Sequence, residues 1–176
     1  MKETSVLGRL GAFWGVAGVA LLLADALVRL FVHARDAFES DLSPLQWAAL
    51  AVWVALMTYV EGWRGFHLRF SPRVVARALT IASPAQGRGV RLVDVVLAPV
   101  FCMSLYGASR RGVRAAWILL AFIVAFILIV RTLPAPWRGI VDAGVVAGIG
   151  TGLCSLLYYA TRAVLGRPPV IDPDCG

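Results

Sequence analysis

The chain has 176 residues, 60% of them hydrophobic and 15% charged, with a mean hydropathy of +0.79 and a net charge of +7. A soluble domain carries roughly 25% charged residues, so this chain has more apolar surface than one small core can hide, and lipid must solvate much of it. The excess of 17 basic over 10 acidic residues does not call for nucleic acid, which is not expected as a partner, because cytoplasmic flanks of membrane helices collect basic residues.

All basic residues except Lys2 are Arg, which together with abundant Ala, Gly and Val fits a GC-rich bacterial genome and an inner-membrane location. Cys102, Cys154 and Cys175 show no paired or metal-like spacing and read as small hydrophobes.

Taken in order, the first apolar run follows the basic pair Lys2 and Arg9, and Ala24-Asp25-Ala26 resembles a leader-cleavage site. Its apolar character continues through Leu27, Val28, Leu30, Phe31 and Val32, so the segment is read as a retained span from about Leu7 to Val32. A polar loop, His33 to Ser43, leads to a second helix opened by Ser43 as cap and Pro44 in the first turn. That helix is expected to end near Tyr59 and to leave through Glu61-Gly62-Trp63-Arg64-Gly65, with Trp47 and Trp63 at its two interfaces.

Ser71-Pro72 opens a short helix with Arg73, Arg77 and Thr80 on one face and Val74, Val75, Ala78 and Leu79 on the other. This pattern predicts a helix lying in the membrane interface. Ser83 to Gly89 reads as a turn. Leu92 to Ala108 is apolar but carries Asp94 and is interrupted by Pro99. Ala115 to Val130, without a charge, is the strongest span; Pro134 and Pro136 then mark a tight turn before a last helix from about Ile140 to Leu165. Residues 1–166 read as one membrane-embedded helical domain and residues 167–176 as a disordered tail.

Pro99 decides the topology. If all five apolar segments span, ten basic residues fall on one side and seven on the other; if 92–108 dips in and returns, thirteen face four. The second division obeys the positive-inside rule better. A proline break also needs its freed carbonyl satisfied, which protein packing around a re-entrant element allows. The expected fold is therefore all-α: a polytopic membrane helical bundle of four transmembrane helices plus one Pro-broken re-entrant or interfacial segment, with the N-terminus cytoplasmic. Five transmembrane helices are the alternative.

Four carboxylates lie in or beside apolar segments, each with an arginine three or four residues away: Asp25 with Arg29, Glu61 with Arg64, Asp94 with Arg91, and Asp142 with Arg138. On an α-helix such spacing shares a face, so structural ion pairs are expected. Asp25 sits deepest, on the side of Gly11 and Gly18, and is expected to face the bundle interior. Gly11-x-x-x-Gly15 and the series Gly144, Gly148, Gly152 form grooves that admit a close neighbour, expected within the chain.

His33 and His67 follow successive antiparallel spans and cannot share a metal, so no metal or cofactor is expected. Ser71, Ser83, Ser104 and Ser155 lack a nucleophile-elbow setting, and no catalytic residue is expected. Arg64, Arg69, Arg73, Arg77, Arg88, Arg91, Arg110, Arg111 and Arg114, interleaved with Trp63, Phe66, Phe70 and Tyr106, form an arginine-rich cytoplasmic face suited to anionic lipid headgroups or an acidic partner. The reading is a non-enzymatic accessory or scaffold protein that docks a membrane partner or a second copy. Its rival is a small oligomeric transporter or channel subunit with Asp25 lining a polar path.

Overall fold

A computed structural model describes residues 6–39, 41–83 and 92–172, and every regular element in these stretches is helical. The order is α1 (Val6–Glu39), α2 (Pro44–Met57), a π-helical stretch (Thr58–Phe70), α3 (Ser71–Ala82), α4 (Leu92–Val96), α5 (Ala98–Cys102), α6 (Arg110–Val130) and α7 (Ala135–Val164). Four stretches are long and apolar enough to cross a membrane: Val6–Arg35, Pro44–Ala82, Arg110–Val130 and Pro136–Val164. This is the pattern of a multi-pass membrane protein.

Ser43 opens α2 with a reciprocal capping box: its hydroxyl accepts from the Gln46 N–H at 3.4 Å, and Gln46 Oε1 accepts from the Ser43 N–H at 2.9 Å. The helix does not stop at Tyr59 as expected. It widens into π winding, in which the Ser71 N–H reaches back five residues to the Phe66 carbonyl, and then continues into α3. The result is a continuous rod, Pro44–Ala82, of 39 residues. At ~1.5 Å per residue an α-helix of that length exceeds the ~30 Å hydrocarbon core, so part of the rod stands beyond it. The glycines that read as a helix exit serve close approach instead, since a Cβ on Gly62 would lie 2.8 Å from Thr151 Cβ of α7.

Nor is α3 a separate helix with one free polar face. Val74, Val75, Ala78 and Ile81 are buried, and so is Arg77 on the face expected to be polar. They join Val19 of α1, Ala98 and Cys102 of α5 and Leu156 of α7 in the main core. A second cluster, Ala34, Leu50, Ile140 and Ala143, closes the opposite end. The two clusters fix the directions: α1 runs one way, and the rod and α7 run the other. The start of α1, the end of α3, the 92–109 segment and the end of α7 therefore gather at one end of the bundle.

The glycine grooves are filled from within the chain. Trp53 lies against Gly144, Glu61 against Gly148 and Phe66 against Gly152, so the rod lays a side chain into each successive notch of α7. On α1, Gly11 faces Ile81 and Val95, Gly15 faces Cys102 and Ala98, and Gly18 faces Pro99. Close backbone approach supplies the van der Waals contact that holds helices together where lipid gives no hydrophobic drive.

Helix α6 is different. Only Gly112 and Val130, near its two ends, are buried, while Trp117, Ile118, Leu119, Phe122, Val124, Leu128 and Ile129 are exposed.

Candidate functional site

Between Leu92 and Ser109 the chain makes two five-residue helices, each too short to cross a membrane, separated at Leu97. Pro99 sits in the first turn of α5, where its missing N–H costs nothing. Beyond Cys102 the backbone is irregular, with Ser104 and Gly107 at φ of 62° and 67°. Such a segment leaves carbonyls without helical partners, and burial makes them costly.

Side chains from three helices satisfy them. Trp14 Nε1 of α1 donates to the Val96 carbonyl at 3.3 Å, and Trp117 Nε1 of α6 donates to the Leu105 carbonyl at 3.2 Å. Arg77 of α3 donates through Nε to the Phe101 carbonyl at 2.7 Å and through Nη2 to the Tyr106 carbonyl at 3.1 Å. Its guanidinium also lies 4.1 Å from the Phe101 ring centroid. Arg77 is 1% exposed, so it does not belong to the lipid or partner face expected for it. An always-charged planar fork offers several donors at once, enough for the Tyr106 carbonyl and for the Phe101 carbonyl, which also accepts from the Ser104 N–H at 3.0 Å.

The second polar feature is a seam between the π-helical stretch and α7. Glu61 turns its carboxylate onto Gly148, and Oε2 is buried without a hydrogen-bond partner. Farther along, His67 Nδ1 lies 3.0 Å from Ser155 Oγ, and buried Ser71 donates to the Gly152 carbonyl at 3.4 Å. Trp63 stacks on His67 at 4.5 Å between centroids, and Tyr159 lies 5.3 Å from it. The His67–Ser155 pair spans 88 residues of sequence, and no local spacing announces it. Its one signal is that π winding carries Glu61, Gly62, Phe66 and His67 onto the face that meets α7.

The expected ion pairs fare unequally. Asp25 and Arg29 pair at 2.8 Å, but both side chains are largely exposed, so Asp25 faces outward and not into the bundle. It shares the face of Gly11 and Gly18, but it lies about two turns beyond Gly18, the last of those glycines that the broken segment covers. Asp142 is buried and lies 3.7 Å from Arg138. Glu61 and Arg64 point apart: Glu61 meets α7 while Arg64 is exposed, because i→i+5 winding separates positions that three-residue α spacing would align. Arg91 lies outside the described residues, as do Arg88 and Cys175. Asp94 instead accepts a 3.5 Å hydrogen bond from the Tyr106 hydroxyl, and burial, then the Asp94 charge, push that hydroxyl above the ordinary tyrosine range.

Of the expected arginine face, Arg64, Arg69, Arg110, Arg111 and Arg114 are exposed, together with Trp63. Arg73 is half-buried, with Nε enclosed and lacking a hydrogen-bond partner. Among the described residues, no group of three or more His, Cys, Asp or Glu is placed to hold a metal ion. Comparison with known protein families, curated proteins and solved structures finds no match to this chain.

Proposed function

We propose that this is a non-enzymatic accessory protein of a bacterial inner membrane that docks another membrane protein through α6. The observation that carries the reading is the isolation of α6. Its apolar side chains are exposed around the helix, while the other three spans bury their glycine faces against one another or against the broken segment. One side of α6 forms a shallow apolar groove over Trp117, Leu120, Ala121, Val124, Ala125 and Leu128. The small residues Ala121 and Ala125, one turn apart, let a partner helix approach closely.

Four spans with a re-entrant 92–108 segment and a cytoplasmic N-terminus complete the proposal. The antiparallel course of α1 against the rod and α7 supports it, since it leaves the broken segment and the start of α6 at the end where α3 finishes. Exposed Arg69, Arg110, Arg111 and Arg114 would meet anionic headgroups and acidic flanks of the partner there.

A photocrosslinking residue at Ala121 tests the reading, with one at exposed Leu22 of α1 as control. The expected outcome is a single membrane protein joined from Ala121 and not from Leu22. Crosslinks to lipid alone would sink it. Crosslinks to a second copy would move the weight to the oligomeric transporter reading. One observation favours that rival: the Glu61 carboxylate in the seam, whose Oε2 is buried and unpartnered, since an ionisable group inside a membrane is costly to keep. Glu61, and not outward-facing Asp25, is its residue to test.

A further inference from the structure

At the far end of α7, Leu165, Gly166 and Arg167 turn the chain back on itself. Gly166 takes a φ of 77°. The Gly166 N–H bonds to the Ala163 carbonyl at 3.1 Å and the Arg167 N–H to the Arg162 carbonyl at 2.9 Å. These are the paired bonds of a glycine-closed helix end. Pro168 and Pro169 then stiffen the returning strand of chain. The turn brings Arg167, Val170 and Ile171 beside Leu68 and Pro72 of the rod, and with Tyr159 and Arg162 of α7 they enclose a crevice of about 240 Å³.

We propose that this crevice binds the phosphate group of an anionic membrane lipid. It offers two guanidiniums, Arg162 and Arg167, which suit a phosphate oxygen pair better than ammonium groups do. Arg162 is already oriented: its Nη1 donates to the Tyr158 hydroxyl at 3.4 Å and its guanidinium lies 5.7 Å from that ring. The adjoining Asp172 is engaged in an interaction of its own.

Depth and apolarity select a lipid over a free phosphate ester. The last span ends at Val164, so Arg162 and Arg167 bracket the level at which phosphates lie. Leu68 and Val170, both lining the crevice, are 53% and 99% exposed, giving apolar surface for the glycerol and upper acyl chain. The inference rests on the membrane reading above but not on docking by α6.

The test is native mass spectrometry of the full chain released from phosphatidylcholine nanodiscs with and without phosphatidylglycerol. One phosphatidylglycerol is expected to stay bound to the wild type. The double variant Arg162→Gln/Arg167→Gln should hold it about twenty-fivefold less tightly, the product of roughly fivefold per arginine near a membrane surface. Arg167→Gln alone, an exposed side chain beyond the helix end, should show the fivefold loss even if the double variant folds poorly. Arg110→Gln/Arg111→Gln should retain the lipid. Unchanged retention in both crevice variants overturns the proposal. Equal binding of glycerol 3-phosphate from solution overturns the lipid source. The Ala121 crosslink should persist in the double variant, so loss of lipid and loss of docking are read separately.

Discussion

Arg77 and Phe101 are joined twice: the guanidinium donates to the Phe101 carbonyl at 2.7 Å and sits 4.1 Å from the centroid of the same residue's ring. One buried side chain of α3 therefore holds both the backbone and the side chain at the end of α5, and reaches on to the Tyr106 carbonyl. Arg77→Met is expected to strand the Tyr106 carbonyl, worth ~1–3 kcal/mol when buried unpaired, and to leave the Phe101 carbonyl with the Ser104 N–H alone. The melting temperature of the purified protein in mild detergent should fall steeply, and Arg77→Lys should recover only part of the loss because a single ammonium cannot reach both acceptors along the fork. A wild-type melting temperature in Arg77→Met would show that the segment holds itself.

The filled grooves of α7 predict opposite outcomes for two glycines one turn apart or less. A Cβ on Gly152 would lie 2.5 Å from the Phe66 ring, whereas one on Gly150 finds only Leu27 Cδ2 at 4.0 Å. Gly152→Val should destabilise by ~1–3 kcal/mol through overpacking. Gly150→Ala should be neutral or stabilising, by up to ~1 kcal/mol, because alanine favours the helix. Thermal unfolding of the two variants side by side checks this; equal losses would mean that the rod does not sit in the α7 groove.

Asp25 and Glu61 are separated by the same kind of measurement. The Asp25–Arg29 pair is exposed, so Asp25→Asn should change stability by less than ~1 kcal/mol. Glu61 is half-buried, with Oε2 enclosed and lacking a hydrogen-bond partner, and Glu61→Gln removes a charge that the seam does not compensate, leaving stability unchanged or higher. A large destabilisation by Glu61→Gln would reveal a partner for the carboxylate and would end its candidacy as a free functional group.

Topology is checked with single cysteines in a background lacking the native ones. Arg9→Cys and Ser109→Cys are expected to label from one side of the membrane and Thr132→Cys from the other. Labelling of positions 9 and 109 from opposite sides would establish a fifth crossing.

Much of the architecture was legible in the residues because hydropathy and helix punctuation are local. The apolar runs marked all four long helices, Ser43-Pro44 marked the start of α2, and Pro99 marked the break between the two short helices. The glycine series marked faces of close approach. What the sequence could not supply was anything depending on which face meets which neighbour. Glu61-Gly62-Trp63-Arg64-Gly65 read as a chain leaving its helix, since two glycines weaken a helix in isolation. Against Thr151 and Gly148 those same residues become a π-helical contact surface, and packing outweighs the intrinsic cost. Arg77 read as one of many surface arginines, because charge and periodicity alone place an arginine outside. Only the tertiary structure brings the carbonyls of Phe101 and Tyr106 to it. Asp25 was assigned inward from the glycines of its own helix, and it shares their face, but the broken segment that covers Gly11 and Gly18 leaves Asp25, about two turns farther along, exposed. Local sequence sets which segments are helical and apolar; the partners available in three dimensions decide which polar groups are buried, paired or left exposed.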